Sequence, residues 1–316
     1  MVIVGPTAGG KSDVAVAVAR AFGGEVISAD SMQVYRHLDA GTAKPTGDQR
    51  AQVPHHLVDA IEPTEPFTVA DWLAAAEALI AQMHERGVLP VVAGGTNLYI
   101  KALLEGMFAG PGSDPVLRAA LAEVPGDELH AELALKDPQA AERIDPNDRK
   151  RVIRALEVHQ LTGKPISQLQ SQWKAEARAD EPYRHHPVLI GLRWGVKQIN
   201  RRINARIKQM FSPPEGREDP IDETARLLEA GLLGPQAREA IGTRQALPHL
   251  QGECDDDEVI EKVKIDTRRF AKAQRTWLKR YRGVHWIDCD PISAARRATV
   301  AVEIVSRELG RAARAD

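Results

Sequence analysis

The tightest constraint on this chain lies in its first dozen residues. Gly5-Pro6-Thr7-Ala8-Gly9-Gly10-Lys11-Ser12 matches the pattern G-x-x-x-x-G-K-[ST] at every fixed position, after the apolar run Val2-Ile3-Val4 and before a helical stretch. Glycines at these points let backbone N–H groups turn inward on phosphate oxygens, and the N-terminus of the following helix adds positive potential. Lys11 supplies a cation for the terminal phosphates, and the Ser12 hydroxyl suits Mg²⁺. The cradle therefore predicts a ligand that carries a diphosphate, without saying which. A nucleoside triphosphatase would add a strand ending in aspartate to hold the metal, and the nearest match is Val26-Ile27-Ser28-Ala29-Asp30.

The next hundred residues alternate strand and helix signals. Lys11–Ala21 reads as a helix, Glu25-Val26-Ile27-Ser28 as a strand with Asp30 just past its end, and Val69–Glu85 as a helix with Trp72, Ala76, Ile80 and Met83 at helical spacing. Leu89–Ala93 is a third buried strand, closed by Gly94-Gly95-Thr96. Such alternation implies a parallel sheet with helices on both faces, whose ligands bind beyond the carboxyl ends of the strands. Gly5, Asp30 and Thr96 stand at those ends. From Pro111 to Pro182 strand signals vanish and prolines punctuate short helices, with one clear helix over Arg149–Thr162. Pro187–Leu192 returns as a strand, and helices over 195–211, 220–231, 255–282 and 291–312 follow, the first broken at Pro213-Pro214. The predicted fold is α/β: a P-loop NTPase-like parallel sheet flanked by helices, assembled from residues 1–112 and 183–316, with an all-helical insertion over 113–182.

Composition narrows the class further. A chain of 316 residues corresponds to about two domains. Its two cysteines, Cys254 and Cys289, exclude a disulfide scaffold and a four-cysteine zinc module, and no apolar run is long enough to span a bilayer. A soluble cytoplasmic protein, acting as a monomer away from membranes, is expected. The net charge of −2 hides segregation: Arg149-Lys150-Arg151 with Arg154, Arg201-Arg202 with Arg206, and seven cations between Arg268 and Arg282 are basic, while Glu253–Glu258 is acidic. Three basic clusters on a nearly neutral chain point to a localised polyanion site as well as to solvated helix faces.

Further motifs follow the cradle in order: Asp30-Ser31-Met32-Gln33-Val34-Tyr35, Gly41-Thr42-Ala43-Lys44-Pro45, Pro54-His55-His56-Leu57-Val58-Asp59, Gly94-Gly95-Thr96-Asn97-Leu98-Tyr99, Arg151–Glu157, and Thr267-Arg268 with Gln274 and Thr276-Trp277. Together they resemble the bacterial tRNA dimethylallyltransferases, from residue 3 to about 288. The resemblance implies transfer of an isopentenyl group from dimethylallyl diphosphate to N6 of adenosine 37, beside the tRNA anticodon. It implies Asp30 as the general base, Thr96 as a hydrogen-bonding partner near the reacting nitrogen, and Arg206 as a ligand of the diphosphate held by residues 5–12 with Mg²⁺ on Ser12. It further implies Ser31, Met32 and Gln33 in the base pocket with Asp30 and Thr96, Arg118, Lys150, Arg151 and Arg154 on the anticodon arm, and Arg244, Lys272 and Gln274 as further tRNA contacts. Two departures stand out: Gly242-Thr243-Arg244 where the family usually has Gly-Tyr-(Lys/Arg), and Ala271-Lys272-Ala273-Gln274 where it has Ala-Lys-Arg-Gln. Three other readings compete: a small-molecule P-loop kinase that binds ATP, an adenylate isopentenyltransferase making a cytokinin from free nucleotide, and a non-enzymatic RNA-binding module. The last leaves the Asp30–Thr96 pair and the cradle unexplained.

Overall fold

In the middle of the sheet, continuous apolar runs become strands buried on both faces. In the computed structural model, β1 (Val2–Val4), β2 (Gly24–Ala29), β3 (His55–His56), β4 (Leu89–Gly94), β5 (Leu189–Arg193) and β6 (Val284–Asp288) form one sheet in the order β3-β2-β4-β1-β5-β6, parallel at every pairing. The structure describes residues 1–108, 110–170 and 183–312. Parallel neighbours require crossovers, and α1 (Lys11–Phe22), α3 (Val69–Glu85) and α9 (Val196–Met210) supply them, each burying one apolar stripe. In α9 that stripe is Ile199, Ile203 and Ile207, so Arg202 and Arg206, also four apart, share an adjoining face. Further α-helices are α2 (Gly47–Gln52), α4 (Asn97–Glu105), α10 (Pro220–Glu229), α11 (Thr243–Leu250), α12 (Asp256–Leu278) and α13 (Ala294–Ala312). The acidic block read from the sequence starts α12: Asp255 caps it in a reciprocal pair with Glu258, and Asp256 and Asp257 sit in the first turn, where the helix dipole favours negative charge.

The chain divides into two compact units, Met1–Leu103 with His186–Asp316, and Leu104–His185. The second unit holds α5 (Pro115–Glu123), α6 (Gly126–Lys136), α7 (Pro138–Arg143) and α8 (Arg149–Thr162) around Leu129, Leu133, Val152 and Leu156. The sequence reading placed its start at 113. The structural boundary lies earlier because the segment before α5 is tied into this unit, with Arg154 donating to Pro111 O and Gly112 O and Arg184 N donating to Leu104 O. Residues 171–182, the end of the insertion as read from sequence, lie outside the described residues. Pro115 and Pro138 start α5 and α7, where a missing N–H breaks no helical bond. Among the described residues no helix is long and apolar enough to cross a membrane.

The strand ends position the site. Register pairs Val4 with Gly94 and with Gly191, and Ala29 with Gly94, so β1, β2, β4 and β5 finish side by side and deliver Gly5, Asp30, Thr96 and Trp194 to one edge. Closeness at this edge depends on Gly94, where an added Cβ would lie 2.1 Å from Ala29 O. Gly94→Ala is therefore expected to push β2 and β4 apart and destabilise the protein by about 1–3 kcal/mol, read as a lower denaturant midpoint. An unchanged midpoint would refute the close packing.

Candidate active site

The cradle between β1 and α1 is held from three sides. Gly10 opens α1 in a left-handed conformation (φ 87°) that disfavours a side chain, and Ala8 is left-handed as well (φ 58°). Lys11 Nζ donates to Gly5 O and Pro6 O, both at 3.0 Å. Trp194 Nε1 donates to Gly9 O at 3.0 Å and Arg202 Nε to Ala8 O at 2.8 Å. On the third side Gln274 Oε1 accepts from Thr7 N at 2.7 Å while its Nε2 donates to Gly95 O at 2.9 Å. Gln274, expected from the resemblance to contact tRNA, is buried, and both ends of its amide hold the cradle to the β4 end.

Asp30 follows β2 and is half-buried. Its Oδ1 accepts from Met32 N at 3.0 Å and Gln33 N at 3.4 Å, which fixes the turn and leaves Oδ2 without a hydrogen bond among the described residues. Thr96 N donates to Ala29 O, and Thr96 Oγ1 accepts from Ser31 N, both at 3.0 Å. The structure thus brings Asp30, Ser31 and Thr96 together. Gln33 points its amide elsewhere, accepting from Ser28 Oγ and donating to Thr42 O and Ala43 O.

Two chambers meet at these residues. One, of about 610 Å³, is lined by the cradle from Thr7 to Asp13 with Gln33 and Arg202; the other, of about 400 Å³, is walled by Ser31, Met32, Thr96, Ile203, Met210 and Phe270. Thr7, Ala8, Asp30, Thr42 and Arg206 belong to both. Burial pushes Lys11 down to about 8, with Asp30 pulling it up and Arg206 pushing it further down. Burial also holds Arg206 below its ordinary value, opposed by Asp30 and reinforced by Arg202. A polar chamber with surplus positive charge therefore opens through Asp30 into a more apolar one. Among the described residues no cluster of three or more His, Cys, Asp or Glu side chains could hold a metal ion. The residues fit Mg²⁺ only in the way that ion usually binds, with the exposed Ser12 hydroxyl as one protein ligand and phosphate oxygens supplying others.

The expected tRNA contacts divide. Arg118 and Arg154 both bind Glu157, whose side chain is fully buried: Arg118 Nε and Nη2 each lie 2.9 Å from a carboxylate oxygen, and Arg154 Nη1 lies at 2.5 Å. Burial alone would raise the Glu157 pKa, but these bonds and the N–H of Asp114 hold it below the ordinary value. Arg118 and Arg154 thus organise the helical unit. Lys150 and Arg151 are exposed on the same helix, Arg151 reaching Asp148 at 3.3 Å. Arg244 pairs with Asp266 at 3.0 Å in the wall of the smaller chamber, and Lys272 is exposed. At the two departures, Thr243 is buried at the start of α11 and Ala273 is exposed. Sequence reasoning placed Arg202 in a basic cluster without assigning it to the cradle, and it missed Trp194 and Phe270. The strand-end rule applied to β5 would have found Trp194, and the helical face of Arg206 would have found Arg202; an exposed Phe270 gave no signal.

A parallel sheet with a glycine-rich cradle and a carboxylate at the junction of two chambers fits a transferase built on an α/β fold. The IPP transferase family model matches residues 33–281, and the Isopentenyl transferase model matches residues 1–56. The tRNA dimethylallyltransferase 1 of Citrifermentans bemidjiense is 44% identical over 291 residues, covering 91% of each chain. The tRNA dimethylallyltransferase of Anaeromyxobacter dehalogenans is 46% identical over 292 residues, 91% of this chain and 92% of that one. The crystal structure of the tRNA isopentenylpyrophosphate transferase of Bacillus halodurans aligns with a TM-score of 0.72 at 37% identity, covering 99% of this chain and 97% of that one. A eukaryotic dimethylallyltransferase acting on tRNA aligns with a TM-score of 0.72 at 26% identity, over 91% and 73% of the respective chains. This chain belongs to the IPP transferase family.

Three outcomes are expected. Lys11 sheds its proton as pH rises through about 8, whereas arginine keeps its charge, so calorimetric affinity for inorganic diphosphate, taken as the ratio of wild type to Lys11→Arg, should be flat below that pH and fall above it by up to about tenfold per unit. A ratio that stays constant into alkaline solution would remove Lys11 from the anion site. Glu157→Ala leaves two cations facing a buried gap and should destabilise the protein by about 3 kcal/mol. Arg151→Ala should change stability by less than about 0.5 kcal/mol in the same denaturation experiment.

Proposed function

We propose that this chain transfers the dimethylallyl group of dimethylallyl diphosphate to N6 of adenosine 37, next to the tRNA anticodon, giving N6-isopentenyladenosine and diphosphate. The observation that carries the reading is the placement of Asp30 and Arg206 on the wall common to both chambers. The donor's diphosphate lies in the cradle, where backbone N–H groups, Lys11 and Arg206 stabilise the charge that gathers on it as the allylic C–O bond breaks. Mg²⁺ held by Ser12 and the diphosphate would add to that neutralisation. The allyl group faces the apolar chamber, into which the adenine is extruded beside Ser31, Met32 and Thr96.

N6 of adenine is a weak nucleophile because its lone pair is shared with the ring. As N6 bonds to the allylic carbon, Asp30 Oδ2 accepts one N6 proton, and the C–O electron pair leaves with the diphosphate. The turn that occupies Oδ1 fixes the carboxylate in orientation, and the Thr96 hydroxyl holds Ser31 beside it. Lys150, Arg151, Arg244 and Lys272 supply contacts to the tRNA backbone; their number sets the salt dependence of binding. The protein acts as a cytoplasmic monomer. The relatives named for tRNA dimethylallyl transfer support tRNA over free nucleotide as the acceptor.

Incubation with labelled dimethylallyl diphosphate, Mg²⁺ and either unmodified tRNA or AMP tests this directly. Label should enter tRNA alone; label in AMP, or ATP turnover without transfer, overturns the reading in favour of the nucleotide or kinase branch. Asp30→Asn should lower single-turnover transfer by about 100-fold or more while leaving tRNA binding intact. Undiminished transfer would move the proton to another group.

A further inference from the structure

Arg202 and Arg297 crowd onto one indole. Their guanidinium carbons lie 4.7 Å and 5.0 Å from the centre of the Trp194 ring. They come from different helices, α9 and α13, and each gives one donor to a backbone carbonyl: Arg202 to Ala8 O and Arg297 Nη1 to Ile292 O, both at 2.8 Å. Arg297 is 5% exposed. Neither guanidinium forms an ion pair among the described residues. Burial first, and then the positive charge of Arg297, pushes Arg202 below its ordinary value, against a weaker pull from Asp13.

Both arginines converge on the glycine that opens α1. A Cβ placed on Gly10 would lie 3.8 Å from Arg297 Nη2 and 3.9 Å from Arg202 Nη2. Holding two like charges together, with Arg297 buried, Arg202 half-buried and no carboxylate in ion-pair range among the described residues, is unfavourable, and an indole face offsets only part of that. Here the unfilled donors lie beside a phosphate cradle, and Arg202 is in the wall of its chamber. Planar guanidinium forks held in a fixed orientation suit phosphate oxygens.

We propose that Arg202, Trp194 and Arg297 complete the anion site of the cradle. Arg202 contacts the diphosphate, and Arg297 is a positioning residue that clamps Trp194 against Gly9 and adds its charge from behind. The inference rests on reading the cradle as a diphosphate site. Nothing in the motif G-x-x-x-x-G-K-[ST] calls for either arginine or the tryptophan.

The test is calorimetric titration of inorganic diphosphate into wild type, Arg202→Gln, Arg297→Gln and Arg297→Lys, with thermal unfolding of each protein with and without diphosphate. Arg202→Gln should weaken binding by about tenfold or more and Arg297→Gln by about threefold to tenfold, with Arg297→Lys recovering part of the loss because the charge remains. Relief of like-charge crowding should leave the ligand-free Tm of Arg297→Gln at or above that of wild type, while the rise in Tm on adding diphosphate shrinks. In turnover assays KM for dimethylallyl diphosphate should rise and KM for tRNA stay constant. A lower ligand-free Tm with an intact diphosphate-induced rise would make the stack purely structural and overturn the proposal. Should Arg297→Gln fail to fold, Arg202→Gln and Arg297→Lys decide by the same comparison. Wild type that binds no diphosphate would overturn the cradle reading and this inference together; wild type that binds it no better than the variants overturns this inference alone.

Discussion

In-register pairing of β1 with β4 and β5, and of β2 with β4, is the constraint on which the site depends. Four chemically different residues, Gly5, Asp30, Thr96 and Trp194, come from distant parts of the chain and share only their place one or two positions beyond a strand. A one-residue slip of β2 against β4 would exchange the faces of every β2 side chain and move Asp30 along the sheet by about 3.3 Å. That is the scale of a hydrogen bond, so the precision of the site is inherited from the sheet. Gly94, which has no room for a Cβ against Ala29, keeps the two strands close at the point where it matters.

Local positive charge is the second organising element. Lys11, Arg202, Arg206 and Arg297 gather around the cradle with Asp30 as the acidic neighbour that lifts both Lys11 and Arg206. Hydrogen bonds to the carbonyls of Gly5, Pro6, Ala8 and Ile292 satisfy individual donors but do not neutralise charge. The site therefore carries surplus positive charge, which under the proposed function the donor's diphosphate would offset. Under the proposed function the leaving group would be most strongly held when its charge is greatest, after the allylic bond has broken, which is the condition for lowering a barrier rather than merely tightening binding.

Features written at fixed local spacing were legible in the sequence, and features made by long-range pairs were not. The cradle needs eight consecutive residues, and the helix over Arg149–Thr162 coincides with α8. The candidates Asp30 and Thr96 followed from a rule about strand ends, and the structure brings them together through Ser31. Gln274 was noticed, but its role was not, because the groups it bridges, Thr7 and Gly95, lie 267 and 179 positions away. Strand β3 is two residues long, too short for any periodicity. Strand β6 is a half-exposed edge whose Val-His-Trp-Ile-Asp composition looks like neither a buried run nor a clean alternation. Trp194 and Arg297 carry meaning only against each other, and no local pattern joins them.

The arginines of α8 show why charge clusters mislead when counted along a sequence. Arg151 and Arg154 are three apart on one helix, yet Arg154 is committed to a buried carboxylate one turn on, while Arg151 stays in solvent beside Asp148. Glu157 does not merely neutralise Arg154: it also binds Arg118 and the backbone of Asp114, so a carboxylate that would be unfavourable alone becomes the knot of the helical unit. The near-zero net charge of the chain is partly made of such internal pairs, since each commits cations and anions to one another and removes them from long-range fields. A balanced total is thus compatible with a local surplus of positive charge, such as the one around the cradle.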